Sequence, residues 1–191
     1  MKEYYDLRAP EYDNWWIAAA RDREGWQEEL DEALARVAGL PPARTLDIAC
    51  GTGFITQHLP GEVVGLDQSA SMLELARDRV PTATFVQGDA LDLPFADRSF
   101  GRVFASYFYC HLVEEERVRF LAEARRVGDE LVVMGSRWGA GEEAERWEKR
   151  PLSDGSTWRV FKRVFDPDAL ADELGGVVVH AGRWFVVVRS T

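Results

Sequence analysis

Alternating strand and helix signals through most of the 191 residues predict a single α/β domain, a three-layer sandwich with helices on both sides of a mostly parallel sheet. Two local observations sharpen this. Residues 45–56 rise from a short apolar run to a carboxylate, Asp47, break into a turn holding Gly51 and Gly53, and re-enter apolar sequence at helical spacing, which reads as strand, loop, helix. Three consecutive apolar runs then end in an aspartate, at Asp47, Asp67 and Asp89. Ligands of open α/β sheets lie beyond the carboxyl ends of the strands, so the three acids are expected to share one crevice.

The chain begins with an aromatic segment. Residues 3–20 set Tyr4, Tyr5, Tyr12, Trp15 and Trp16 in a charged background, more aromatic surface than docking one short helix requires. Such a segment either packs onto the core or folds over a ligand as a lid. Residues 23–38 place Trp26, Leu30, Leu34 and Val37 near helical spacing, and Gly39, Pro41 and Pro42 stop that helix. In the glycine loop, Cys50 reads as a small buried thiol, and a helix carrying His58 is expected next. Residues 63–66 form the second strand. Ser71 to Glu74 has capping-box spacing and starts a helix that Pro81 ends. Residues 84–87 are the third strand, 91–100 a loop and 101–105 the fourth strand, which runs into Ser106, Tyr107, Cys110 and His111. Glu114, Glu115 and Glu116 open the next helix, where negative charge complements exposed N–H groups. Residues 131–134 make the fifth strand.

Residues 136–157 turn polar, with Gly139, Ala140 and Gly141, a charged helix expected over 142–149, and a turn at 153–155. Residues 158–165 alternate like an edge strand, with the basic groups either solvated or facing the cleft. Asp166 and Pro167 cap a short helix through Leu170 and Leu174 that Gly175 and Gly176 close. Residues 177–188 read as a β-hairpin.

A hydrophobic content of 46% fills one sizeable core. The 33 acidic and 23 basic residues give a net charge of −10, which disfavours a nucleic-acid partner and leaves a small molecule. The acidity is uneven. Residues 1–135 hold 24 acidic and 14 basic groups, whereas 136–191 hold nine of each, so the later part is less hostile to an anionic substrate. Cys50 and Cys110 are too few for a disulfide framework and lack metal-ligand spacing, so no metal is expected and a reducing cytoplasm fits. No apolar run approaches membrane-spanning length, and the first residues lack the apolar core of a signal peptide.

Glycine lets the loop backbone approach a ligand closely, and a carboxylate at the tip of the second strand, Asp67, can accept both hydroxyls of a ribose. A pyrophosphate is disfavoured. Thr56 stands where a dinucleotide loop has its third glycine, and acids around the loop repel phosphates. They suit a ligand with a ribose, an adenine amino group and a cationic end.

On these residues the sequence resembles the class I S-adenosylmethionine-dependent methyltransferases, in particular their small-molecule branch. The resemblance covers nearly the whole chain and extends to Gly88-Asp89-Ala90, to Leu93-Pro94-Phe95 with Ser99-Phe100, and to the pattern from Tyr4 to Asp13. It implies a Rossmann-like, mostly parallel seven-stranded sheet with a C-terminal antiparallel strand. Residues 1–191 then form one domain, with an N-terminal helical lid region in 1–40 and a variable acceptor-side insertion at 136–165. The implied cofactor is S-adenosylmethionine, with S-adenosylhomocysteine as product, and the reaction is in-line methyl transfer to a small-molecule acceptor. Neither nucleic acid nor membrane is expected as a partner, and the protein is expected to be a cytoplasmic monomer or homodimer.

The resemblance assigns cofactor binding to Tyr5, Tyr12, Asp47, Ala49, Gly51, Gly53, Asp67, Gln68, Met72, Asp89, Ala90, Leu91 and Ser106. Ala49 stands where the family most often has the first glycine of its loop, and alanine fits there if its φ is negative. Residues 106–112 contain neither Asn-Pro-Pro-Tyr nor a Pro-Cys pair, so Cys110 is not expected as a nucleophile. His111 is the candidate general base, against a plain hydrogen-bonding role. Trp138, Trp147 and Trp158 are candidate pocket walls. Two other readings stay open: a non-catalytic S-adenosylmethionine-binding protein or partner subunit and, less favoured, an NAD-dependent oxidoreductase.

Overall fold

A computed structural model describes residues 1–139 and 141–190; Ala140, Thr191 and the side chain of Trp15 lie outside the described residues. Helices α1 (Lys2–Arg8), α2 (Asn14–Asp22) and α3 (Trp26–Ala38) precede the sheet. Then come β1 (Thr45–Ile48), β2 (Val63–Asp67), α4 (Ala70–Arg79), β3 (Thr84–Gln87), β4 (Phe100–Ser106), α5 (Glu114–Val127) and β5 (Gly128–Ser136). A hairpin of β6 (Glu145–Pro151) and β7 (Thr157–Arg163) is followed by α6 (Pro167–Leu174), β8 (Gly176–Ala181) and β9 (Phe185–Ser190). The main sheet has seven strands in the order β3-β2-β1-β4-β5-β9-β8. Pairing is parallel from β3 to β5, and only β9 runs against its neighbours. The expected mostly parallel sheet with its antiparallel C-terminal strand is thus present.

Both faces of the sheet are covered, and the period of two along its strands sorts side chains between two cores. Leu131 and Val133 of β5, with Val186 and Val188 of β9, join Phe120 of α5 and Leu170 of α6 on one face. Val132, Met134, Phe185 and Val187 join Trp26, Leu30 and Val37 of α3 on the other. The helix α6 has its expected caps: Asp166 accepts the N–H groups of Asp168 and Ala169, and Gly175 closes it at φ +65°. Among the described residues no helix is long and apolar enough to cross a membrane.

Three local expectations are corrected. No α-helix follows the glycine loop; Thr56–His58 is a single 3-10 turn. Pro60 biases Leu59 to the extended conformation it adopts, φ −75° and ψ 128°, and this stops the turn from propagating. The cap of α4 is Ser69, whose hydroxyl accepts the Met72 N–H at 3.2 Å, and not Ser71. The Ser69 N–H is itself held at 2.9 Å by Asp67, so the chain turns into helix directly from the strand end.

Residues 142–149, expected as a charged helix, instead enter the β6–β7 hairpin. Arg146, Glu148 and Arg150 are spaced two apart and share one face of a strand, where Glu148 binds both arginines. Residues two apart on a helix do not face each other, so the helix forfeits these pairs. The β7 strand is no solvated edge: His111 Nδ1 donates to the Phe161 carbonyl at 2.6 Å across its outer side.

The N-terminal aromatics divide. Tyr4 packs with Leu152 and Val160 of the hairpin region, whereas Trp16 stacks on Phe54 at 4.9 Å and meets the Tyr107 ring edge-on at 5.1 Å. The segment and the hairpin therefore touch each other as well as the body of the domain.

Candidate active site

Beyond the carboxyl ends of β1, β2 and β4 lies a cavity of about 480 Å³, within the usual range for small-ligand sites. It is lined by Tyr5, Tyr12, Ala49, Gly51, Asp67, Gln68, Met72, Asp89, Ala90, Leu91, Ser106 and His111 of the residues expected from sequence. Asp47 and Gly53 do not line it. Asp47 is fully buried beneath the loop, and a Cβ on Gly53 would meet Ala76 Cα and Val80 Cγ2 at 3.3 Å, so this glycine serves the packing of the loop on α4.

Asp67 has both carboxylate oxygens on backbone: Oδ2 accepts the Gly51 N–H at 3.0 Å and Oδ1 the Ser69 N–H at 2.9 Å. Each oxygen keeps a further lone pair for a ligand hydroxyl. Burial holds the Asp67 carboxyl above the usual carboxylate range, with the Ser69 and Gly51 hydrogen bonds opposing. Gly51 has φ +56°, and the first atom a Cβ there would meet is Tyr12 Cε1 at 4.0 Å, so Tyr12 sits across the loop backbone like a cover. Asp47 accepts the Thr56 hydroxyl at 2.6 Å, while its Oδ1 is buried without a hydrogen-bond partner among the described residues. Burial lifts Asp47 to about 7 against the Thr56 hydrogen bond, with the charge of Asp67 adding to the lift. Thr56 is therefore a donor that a glycine in its place would remove. Asp89, at the third strand end, is exposed, and its Oδ1 accepts the Leu91 N–H at 2.9 Å.

Backbone strain gathers at this site. Ala49 has φ +53°, which overturns the negative value expected for it, and Tyr107 has φ +52°. Left-handed backbone costs a residue with a Cβ roughly 1–2 kcal/mol, and such residues concentrate at functional sites. At Ala49 the Cys50 N–H is held by the Leu66 carbonyl at 3.1 Å, which fixes the turn irrespective of side chain.

The opposite wall comes from Tyr107, Phe108, His111, Leu112, Phe161 and Trp147. Of the three candidate tryptophan walls, Trp147 is in place. Trp138 donates to the Glu142 carbonyl, and Trp158 packs beside Tyr4. Sequence reasoning missed Tyr107, Phe108 and Phe161; the aromatic run 107–109 was the available signal. Because His111 Nδ1 faces a carbonyl, that nitrogen carries a proton.

The covering segment is tied down at three of its acids, with Glu11 accepting the Ser153 N–H at 3.2 Å. Asp6 accepts the Ser69 hydroxyl at 2.5 Å, and Asp13 accepts the Thr52 hydroxyl at 2.8 Å and Arg79 Nη2 at 2.5 Å.

Fold and site together define an open α/β protein with a nucleoside-sized crevice at its strand ends. The family model described as "Methyltransferase domain" matches residues 46–130. The demethylmenaquinone methyltransferase of Thermotoga maritima is 36% identical over 107 residues, covering 53% of this chain and 44% of that protein. The enzyme of the same name from Renibacterium salmoninarum is 36% identical over 137 residues, covering 68% and 55%. The chain thus spans about half the length of these curated relatives. The DhpI–SAM–HEP complex superposes with a TM-score of 0.73 at 25% identity over 98% of this chain and 94% of that one. The DhpI–SAH complex gives 0.71 at 26% identity over 98% and 92%. Residues 46–130 thus belong to the methyltransferase domain family, and the chain shares the fold of DhpI over 98% of its length.

Proposed function

We propose that this protein binds S-adenosylmethionine and transfers its methyl group to a small-molecule acceptor. The observation that carries the proposal is that one cavity brings Gly51, Asp67 and Asp89 together with Tyr107, His111 and Phe161. A site for a nucleoside with a cationic end thus adjoins an aromatic wall with a basic nitrogen. The residues fit the cofactor. Asp67 has lone pairs for ribose hydroxyls, and Asp89 lines the same cavity as the partner read for the adenine edge.

S-adenosylmethionine, when bound, supplies a methyl group on sulfonium, already an excellent leaving group. The chain's residues need only align the acceptor in line with it, exclude water and receive any proton released. Tyr5 and Tyr12 cover the cavity from the N-terminal segment, and the β6–β7 hairpin closes the acceptor side through Trp147 and Phe161. His111, which lines the cavity, would take a proton from an acceptor hydroxyl. Relatives named for quinone methylation make a small molecule the expected acceptor class.

A nicotinamide dinucleotide fits less well, since no α-helix follows the glycine loop to receive its pyrophosphate and Thr56, on which Asp47 depends, stands where its loop has a third glycine. Calorimetric titration with S-adenosylmethionine, S-adenosylhomocysteine and NAD tests this directly: the first two should bind saturably and NAD should not. Saturable NAD binding overturns the proposal. Cofactor binding without S-adenosylhomocysteine release across a broad hydroxylated-metabolite panel would instead favour the non-catalytic reading.

A further inference from the structure

We propose that Trp147, with Phe161 beside it, is a stacking platform that selects an aromatic acceptor without an anionic group, of which a phenol is the simplest form. This rests on the methyltransferase reading and names the substrate class of the same site. In the β6–β7 hairpin, the period of two and the pairing register put Arg146, Glu148, Arg150, Val160 and Lys162 on one strand face, and Trp147 and Phe161 on the other. The first face is turned to the rest of the domain. Lys162 is 8% exposed and donates to Ser136 Oγ at 3.2 Å and Cys110 Sγ at 3.6 Å, and Val160 packs with Tyr4. The second face is open, and its Glu145, Lys149 and Arg159 are exposed as charged groups ordinarily are. Trp147 is the exception, a large apolar side chain left 54% exposed among them.

The open indole is not a stray surface residue. It lines the same cavity as Phe108, Leu112, Val113 and Phe161, so it extends an apolar wall. Its orientation is set by two neighbours on its own strand face: the Phe161 ring, its cross-strand partner, meets it at 5.6 Å and 67°, and Arg159 Cζ stands 5.1 Å from the ring centre. Phe108 is braced in turn against the buried Phe120, edge-on at 5.4 Å. Rings held in place before a ligand arrives favour a flat apolar partner, because little side-chain freedom is lost when it stacks. The charges of the cavity disfavour an anion. Asp67, Asp89 and Glu116 line it, and among the described residues no arginine or lysine does. The basic residues of 136–191 therefore do not supply the cation that an anionic substrate needs: Arg146 and Arg150 are paired with Glu148 at 2.8 and 2.6 Å, and Arg163 with Glu173 at 2.6 Å. A carboxylate or phosphate on the acceptor would meet three acids and, His111 aside, no basic group.

The test titrates matched probes into the full chain saturated with S-adenosylhomocysteine: phenols of one to three rings, each beside its saturated-ring alcohol and its carboxylate-bearing derivative. The wild type should bind at least one phenol about fivefold or more tighter than either counterpart. Trp147→Ala, at a side chain more than half exposed, should still fold and take up S-adenosylhomocysteine. It should lose the preference for the phenol over the saturated alcohol and keep the bias against the carboxylate, and Trp147→Phe should retain most of both. Saturated alcohols bound as well as phenols, carboxylates bound as tightly or tighter, no phenol bound at all, or an aromatic preference that survives intact in Trp147→Ala would each overturn the proposal. If Trp147→Ala does not fold, the two comparisons on the wild type decide alone. Failure of S-adenosylhomocysteine to bind the wild type would instead sink the methyltransferase reading, and phenol binding remains measurable on the protein without it.

Discussion

Replacing Asp67 separates what this carboxylate does for the fold from what it does for the cofactor. Its oxygens hold the Gly51 and Ser69 N–H groups at 3.0 and 2.9 Å in a nearly closed environment. Alanine would leave both donors without an acceptor, at about 1–3 kcal/mol each. A total of several kcal/mol is a large part of the 5–15 kcal/mol that roughly stabilises a domain, so Asp67→Ala tests folding more than binding. Asp67→Asn is the informative change. Its amide oxygen keeps one N–H bond, and its amino group meets the other donor, so a stability loss of about 1–3 kcal/mol is expected.

In the complex, two ribose hydroxyls would exchange a charged acceptor for a neutral one, losing about 1–1.5 kcal/mol each, or roughly 30- to 150-fold in affinity. Thermal unfolding of the free variant reads the first quantity, and calorimetry with S-adenosylhomocysteine at a temperature where the variant is folded reads the second. A folded Asp67→Asn variant that binds within about twofold of wild type would refute the ribose assignment, since a charge-assisted pair cannot be neutralised at so small a cost.

Three further outcomes are expected. Asp89→Ala, at an exposed residue, should change stability by less than about 1 kcal/mol yet weaken S-adenosylhomocysteine binding by about 1.5–3 kcal/mol; equal affinity would place the adenine elsewhere. Because burial lifts Asp47 to about 7 in the folded protein, its contribution to stability is full below the ordinary carboxylate value of about 4 and is lost as pH rises through about 7. Wild type should therefore lose stability relative to Asp47→Asn across that window and then level off, and a pH-independent difference in urea unfolding would contradict it. Arg79→Met removes the ties from Arg79 to Asp13 and Thr52, so hydrogen exchange in residues 3–20 should quicken in the free protein and slow again with S-adenosylhomocysteine; exchange indifferent to both would reduce the segment to packing.

The sheet and most of the crevice were legible in the sequence, because both follow from local pattern. Apolar runs that end in Asp47, Asp67 and Asp89 must deliver those residues to the same edge once the strands pair in parallel, as β1, β2 and β3 do. Caps are equally local, so Asp166 and Gly175 marked the ends of α6 correctly. Signals that compete over a few residues were not decided by pattern. Thr56 to His58 has helical spacing, but Pro60 cuts it short, and the alternation of Arg146, Glu148 and Arg150 becomes a strand only because β7 is present to pair with it.

Only tertiary structure decided the division of labour within the site. The burial of Asp47 beneath the loop, away from the cavity, depends on the Thr56 turn folding over it, and the positive φ of Ala49 depends on the hydrogen bond from Cys50 to Leu66 on the neighbouring strand. The place of Phe161 and Trp147 in the cavity wall depends on a hairpin docking its free edge on His111, with Phe161 fifty residues further along the chain. Sequence carries short-range periodicity and caps, whereas burial and electrostatic potential are set by residues distant in the chain, and those contacts exist only once it has closed on itself.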